Sequence, residues 1–152
     1  MSDKSINKDI SIVDFVLHRS HIIWLLSNGR VVAFGDNICG QCEVGGWRDI
    51  IAIAASSGRT LGLKSNGTVI AAGDRRKTRG DVQGWRDINA ICSSDHYSVG
   101  LRSNGTVVVT GDDDYDLSGI NAWENIVAVS AGQSHIVGLR SDGTVVAVGN
   151  NK

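Results

Sequence analysis

The chain has 152 residues, and its 15 Lys and Arg against 16 Asp and Glu give a formal net charge of -1. This balance excludes a general attraction to nucleic acid or to an anionic membrane surface. Hydrophobic residues at 41% and charged residues at 20% are typical of a folded globular chain rather than a disordered one. No apolar run reaches the length of about 18 residues that spans a bilayer, and residues 1–8 lack the apolar core of a signal peptide. Since three cysteines cannot all pair within one chain, we expect a protein of the reducing cytoplasm.

A repeat of 38 residues runs along the sequence, and four such units account for its whole length. A tryptophan, a leucine, a glycine and a Ser-Asn-Gly or Ser-Asp-Gly turn all recur with this step. The tryptophans are Trp47, Trp85 and Trp123, and the turns begin at Ser27, Ser65, Ser103 and Ser141. The repeats predicted within one domain, residues 1–152, are residues 10–47, 48–85, 86–123, and 124–152 completed by 1–9.

Each repeat contains four short apolar segments in chain order. In the second repeat they are Ile50 to Ala55, Thr60 to Leu63, Thr68 to Ala71 and a segment around Val82. The Asn-Gly pair between the second and third segments predicts a hairpin in which both central residues have positive φ. No segment has a sustained helical period. The pattern predicts an all-β protein, a β-propeller with one four-stranded antiparallel blade per repeat.

The loops at one end of the predicted blades differ sharply between repeats, whereas the Asn-Gly turns at the other end are nearly constant. Variation among copies of one repeat is typical of a binding surface on a common scaffold. The variable loops between first and second strands are His18–His21, Ser56–Arg59, Ser94–Tyr97 and Gly132–His135.

The segment from Ile126 to Gly149 resembles the regulator of chromosome condensation repeat, particularly in its bacterial members, and Gly40-Gln41-Cys42 resembles the next part of the repeat. The resemblance covers essentially the whole chain. It implies a propeller, usually of seven blades, that serves as a platform for protein–protein interaction. Members of the family include a nucleotide-exchange factor that acts with chromatin and a secreted bacterial inhibitor of β-lactamase, so the resemblance does not identify a partner. The chain departs from the pattern at Trp24, where the other repeats have glycine, and at Thr78-Arg79 and Asp116-Leu117, where the Gly-Gln signature is missing.

The last repeat ends after its third strand, and a shift of 38 residues aligns Ile6 with Val44. We therefore expect Ile6 to supply the missing edge strand, because an unpaired edge leaves backbone donors and acceptors unsatisfied. Pairing within one chain would give a four-bladed ring, and pairing with a second chain would give an eight-bladed homodimer by strand exchange. The homodimer is favoured because the blades of the resembling family are shaped for wide rings and eight blades lie within the known range.

Oppositely charged segments follow the third strands of neighbouring repeats, and they suggest a surface that orients a protein partner. The alternative is mutual pairing of surface charges, which contributes only about 0 to 1 kcal/mol for each exposed pair. The candidate partner contacts are Arg75, Arg76, Lys77, Arg79, His96, Tyr97, Asp112, Asp113, Asp114 and His135.

Two sets of residues suggest metal sites, although no cofactor is expected. His18, His21, Cys39 and Cys42 are nitrogen and sulfur ligands of the kind that tetrahedral zinc prefers, but the repeat pattern places such residues there in any case. The acidic segment from Asp112 to Asp116 offers clustered carboxylates for calcium, or simply a solvated loop.

Catalysis has little support, since the chain has neither a phosphate-binding loop nor a nucleophile elbow. We therefore expect no enzyme activity and a module that binds or inhibits an unidentified protein. The alternatives are a propeller that binds a metal or small ligand, and an enzyme with a site at the central opening. In the second alternative the residue of interest is Asp14, which replaces the Ala of the other repeats.

Overall fold

The computed structural model describes residues 9–74, 81–111 and 116–150, which form four three-stranded antiparallel sheets, one per repeat. No helix in these ranges is long and apolar enough to cross a membrane. The strands of the first two sheets are β1 (Ile12–His18), β2 (His21–Leu26), β3 (Val31–Gly35), β4 (Ile50–Ser56), β5 (Arg59–Lys64) and β6 (Val69–Gly73). Those of the last two are β7 (Ile88–Ser93), β8 (Tyr97–Arg102), β9 (Val107–Gly111), β10 (Ile126–Ala131), β11 (His135–Arg140) and β12 (Val145–Gly149).

The predicted fourth strand of each of the first three blades is absent from the described residues, which corrects the four-stranded blade expected from the sequence. Ile6, which was expected to supply this strand to the last blade, lies outside the described residues. The residue expected in that strand, Val44, Val82 or Ile120, is instead a buried apolar anchor. Each anchor carbonyl accepts a hydrogen bond from the tryptophan amide three residues later, at 2.9–3.0 Å. This closes a tight turn, and in the third repeat the turn belongs to a short 3₁₀ helix, Ser118–Ala122. The segment therefore bends too sharply to pair along its length with a neighbouring strand.

The Asn-Gly hairpins form where they were predicted but with a different turn. Only the glycines take positive φ, between 75° and 86°, and the preceding Asn or Asp is not among the described residues with positive φ. The amide of Gly29 donates to the carbonyl of Leu26, and the amide of Leu26 donates to the carbonyl of Arg30. A left-handed glycine after an ordinary turn corresponds to the longer hairpin with a glycine bulge.

The first three hairpin turns also contact the next sheet along the chain. The amide of Ile50 donates to the carbonyl of Gly29 at 3.0 Å, and the amides of Ile88 and Ile126 repeat this bond with Gly67 and Gly105. The first strands are neighbours in the order β1, β4, β7 and β10. The four sheets are therefore arranged like successive blades around a common centre.

The hydrophobic core lies between consecutive sheets rather than within one layer. Between the first two sheets, Ile23, Leu25 and Val31 on one side face Ile50 and Ile53 on the other, with the linker residues Val44 and Trp47 packed in the same cluster. The ring of Trp47 covers Gly62, where an added Cβ would lie 2.7 Å from the indole. Trp85 and Trp123 repeat this contact at Gly100 and Gly138, so the tryptophans pack between blades as expected.

Candidate functional site: the loop face

The variable loops of the first three sheets meet on one face, which we call the loop face; it carries the loops between first and second strands. Asp95, from the third sheet, accepts hydrogen bonds from the amide of Ser57 at 2.9 Å and from its hydroxyl at 2.7 Å, both to Oδ1. The same oxygen lies 3.7 Å from Nε2 of His18 in the first sheet. One carboxylate therefore fixes loops from three repeats in a single surface.

A second set of polar contacts lies beneath this surface. The buried His21 places Nε2 3.2 Å from the hydroxyl oxygen of Thr60, which itself donates to the carbonyl of Gln41 at 2.8 Å. Gln41 is also buried, and its side-chain amide donates to the carbonyl of Ser57 at 3.4 Å. These bonds join the linker after β3 to the second sheet, so they support the position of the loops above them.

The charges of the loop face are shaped by burial and by these hydrogen bonds. Burial acts to raise the pKa of Asp95, but the two hydrogen bonds from Ser57, together with nearby His18 and Arg19, hold that pKa below its ordinary value. The pKa of His21 is lowered, first by burial and then by its neighbour His18. At neutral pH the surface thus carries the ionised carboxylate of Asp95 beside imidazole side chains.

The four candidate zinc ligands do not form a metal site. No group of three or more His, Cys, Asp or Glu that could hold an ion occurs in the described ranges, which include all four candidates. His21 is engaged with Thr60, and the thiol of Cys42 donates to the carbonyl of Asp36 at 3.3 Å. The calcium hypothesis concerns residues 112–116, of which only Asp116 is described, and its carboxylate accepts bonds from the amide and hydroxyl of Ser118.

The predicted partner contacts have different surroundings. Tyr97 is 1% exposed, and its hydroxyl donates to the carbonyl of Gly132 at 3.0 Å, so it joins the third and fourth sheets and is removed from the binding surface. His96 is partly exposed and His135 is exposed. The remaining candidates lie outside the described residues: Arg75, Arg76, Lys77, Arg79, Asp112, Asp113 and Asp114.

The strands that precede the charged segments nevertheless end on the loop face. β6 ends at Gly73, which pairs with Arg59 at the start of β5, and β9 ends at Gly111, which pairs with Tyr97. Both strands therefore deliver the chain to the end of the sheet that carries the variable loops.

Sequence reasoning missed the central role of Asp95 and Ser57. These residues occupy one position of the repeat, where Arg19 and Gln133 are their counterparts. The four different side chains at one repeat position were a visible signal of a variable surface. The hydrogen bonds between Asp95 and Ser57, however, depend on how consecutive sheets approach each other. Asp14, the residue considered for catalysis, is exposed and accepts a hydrogen bond from the adjacent Phe15 amide at 2.8 Å.

One groove is separate from this cluster. It has a volume of about 900 Å³ and lies between the linker residues 37–43 and the edge strand β6. Its lining includes Cys39, Glu43, Trp47 and Asp74, none of which belongs to the set of residues joined by Asp95.

A family model confirms the resemblance seen in the last repeat. Residues 126–152 match the model described as the regulator of chromosome condensation (RCC1) repeat. None of the curated proteins compared with the chain matches it in sequence.

Solved propeller structures are similar to the chain over nearly all of its length. Prp20p of Saccharomyces cerevisiae, described with its binding to Gsp1p and histones, has a TM-score of 0.72 and 18% identity; the match covers 93% of this chain and 46% of Prp20p. The CRINKLY WD40 ectodomain of the Arabidopsis thaliana receptor kinase ACR4 gives 0.74 and 17%, covering 93% and 54%. Human WBSCR16 gives 0.74 and 15%, covering 92% and 47%. The chain therefore has the fold of these proteins and spans about half of their length.

Proposed function

We propose that the chain, whose residues 126–152 match the RCC1 repeat and whose fold is like that of the similar propeller structures, is an interaction module that binds a partner protein through its loop face. The observation that carries this proposal is the bridge from Asp95 to Ser57 and His18, which combines three different loops in one fixed surface. A surface held in place before binding loses less conformational entropy on association.

The chemistry of the loop face favours a protein as the ligand. It presents the partly exposed Asp95 carboxylate and His18 imidazole together with the exposed Arg19. Charges of both signs on one surface orient a partner and accelerate its approach. Among similar structures, Prp20p is described with its binding to Gsp1p and histones and is seen in complex with Kap60, which fits an interaction role in general terms.

In this proposal the charged segments from Arg75 to Arg79 and from Asp112 to Asp114 extend the surface, since they follow in sequence the strands β6 and β9, which end on the loop face. We also propose that the module acts in the cytoplasm of a bacterium. Its binding role would require neither a metal ion nor an enzymatic step. All three cysteines are free, which fits a reducing compartment. A further proposal is that the module works as a homodimer, in which two chains of four repeats form an eight-bladed ring.

The test is affinity capture from lysate of the native cell, with the wild-type chain compared with an R75E/R76E double variant. We expect charge reversal to remove the captured partner while the unfolding temperature stays unchanged. The matched control is Arg30→Glu, because Arg30 is exposed beside a hairpin turn at the opposite end of the sheets. Equal capture by all three proteins, or loss of stability together with capture in the double variant, would contradict a binding role for these residues.

A further inference from the structure

The first and the last of the four sheets each expose an apolar surface on their outer side. The equivalent surfaces of the interior sheets are buried. We call the outer side of the first sheet the leading face and the outer side of the last sheet the trailing face. The leading face contains Ile12, Phe15, Leu17, Trp24 and Phe34, and the trailing face contains Ala128, Leu139, Val145 and Ala147.

On the leading face, the exposure is a consequence of position in the chain. Phe15 is 63% exposed, whereas Ile53, one repeat later, is 7% exposed. Leu17 is 73% exposed, whereas its counterpart Ala55 is 9% exposed. The counterparts are covered by the preceding sheet, and the described residues place no sheet before β1.

The trailing face shows the complementary pattern. Val145 is 63% exposed, whereas Val31, Val69 and Val107 at the same position are 4–6% exposed. These three valines face the following sheet, and the described residues place no sheet after β12. The two end surfaces are therefore the two sides of the joint that is already formed three times inside the chain.

The backbone contact at this joint has an equivalent pair of residues on the two end faces. The carbonyls of Gly29, Gly67 and Gly105 each accept from the isoleucine amide 21 residues later. Ile12 holds the repeat position of these isoleucines, so the equivalent donor for the carbonyl of Gly143 would be Ile12 of a following copy. An added Cβ at Gly29, Gly67 or Gly105 would meet the next sheet within 3.2–3.3 Å, while at Gly143 it would meet nothing within 4 Å.

At the leading face, Trp24 takes the place of the linker tryptophan of the internal joints. At an internal joint the linker tryptophan covers a glycine of the next sheet, as Trp47 covers Gly62. At the leading face the linker position is Asp9 and the glycine position is Trp24. The indole of Trp24 thus lies in the same region, but it extends from strand β2. There it makes an edge-to-face contact with Phe34, with 5.0 Å between the ring centroids.

We infer that the leading face of one chain packs on the trailing face of a second copy, and that two such joints close a ring of eight sheets. This inference rests on the proposed homodimer and specifies its interface; it does not depend on the partner bound by the loop face. Two copies together would match the length of the similar structures, since one chain covers 44–54% of Prp20p and of the ACR4 ectodomain. A head-to-tail contact forms a closed ring when the rotation between copies completes a turn.

The joint assigns a structural role to His135. Its counterparts His21 and Tyr97 are buried because the next sheet covers them. The second copy is expected to cover His135 in the same way, which removes it from the partner-binding surface of the closed ring.

The test is the mass of the purified full chain, measured by sedimentation equilibrium at micromolar concentration. Wild type is expected at twice the chain mass of 16.1 kDa. Leu17→Asp on the leading face and Val145→Asp on the trailing face are each expected to raise the dissociation constant about 100-fold or more, because each places an unpaired carboxylate in an apolar joint. Ile38→Asp is the matched control, since Ile38 is an exposed apolar residue on neither face.

Mixing the two variants distinguishes a head-to-tail joint from other dimers. Each variant alone has a defective side in both joints, but a mixed pair has one joint with two intact sides. We therefore expect an equimolar mixture to recover dimers that neither variant forms alone, with circular dichroism confirming that both variants are folded. A wild-type monomer, a dimer unaffected by both substitutions, or a mixture that stays monomeric would overturn the inference. Partner capture in the same samples separates its failure from failure of the proposed binding role.

Discussion

Asp95 accepts two hydrogen bonds from Ser57, the residue that occupies the equivalent position 38 residues earlier in the chain. The bond therefore links two copies of one repeat position across a blade boundary. Its free energy depends on the charge of the carboxylate, because hydrogen bonds to an ionised acceptor are stronger than those between neutral groups.

Asp95→Ala is expected to lower the free energy of unfolding by about 1–3 kcal/mol at neutral pH. The pKa of Asp95 is depressed in the folded state, so its contribution is complete above the ordinary Asp pKa of about 3.9 and is lost as the pH falls through the lower folded-state pKa. Denaturant unfolding at pH 7 and near pH 3 measures this. The difference between wild type and variant should shrink at the acidic pH, and Glu124→Ala, at an exposed site, should show no comparable effect. A pH-independent difference would contradict the role of the charge.

Gly62→Ala is expected to destabilise the chain by about 1–3 kcal/mol, because the new Cβ would meet the indole of Trp47 and force a shift at the first internal joint. Gly84→Ala is the matched control, since an added Cβ there has nothing within 4 Å and should change stability by less than about 0.5 kcal/mol. Thermal unfolding of both variants measures the difference. Equal stability of the two variants would show that the tryptophan packing is adaptable.

The exchange of glycine and tryptophan at the leading face predicts a compensating pair of substitutions. Trp24→Gly should destabilise the protein by about 1–3 kcal/mol through loss of packing at a partly buried site. Adding Asp9→Trp to this variant restores the arrangement of the internal joints and should recover most of the loss. Asp9→Trp alone should not stabilise the chain, because the space is already filled. A double variant no more stable than Trp24→Gly would refute the exchange.

The three free cysteines are expected to differ in reactivity. Burial raises the pKa of the Cys92 thiol to about 12, opposed by a backbone hydrogen bond with Ala131, and burial also raises the pKa of Cys42. Because the thiolate is the reactive form, the exposed Cys39 should react first with a disulfide reagent at pH 8, and Cys92 should react only after unfolding. Single Cys→Ala variants assign each phase, and rapid modification of Cys92 in the native protein would be the contrary result.

Several features of the site depended on three-dimensional contacts that the repeat pattern does not encode. The charge segregation after β6 and β9 is visible in the sequence, and so is the variability of the loops. The burial of Tyr97 is not, because a tyrosine at a loop end gives no indication that the carbonyl of Gly132 will approach its hydroxyl. Likewise, the sequence does not show that two of the candidate zinc ligands, His21 and Cys42, form hydrogen bonds with Thr60 and Asp36.

The sequence by itself determined the 38-residue period, the antiparallel strands and the hairpin positions, because each follows from local alternation, glycine conformation and repetition. It also identified Trp47 and its equivalents as packing residues between blades. The tertiary structure decided that the segment around Val82 turns instead of pairing, that Asp95 joins three loops, and that the first and last sheets expose matching surfaces. These features arise from how consecutive sheets approach one another, and burial or exposure of a residue such as Val145 depends on whether a neighbouring sheet follows it.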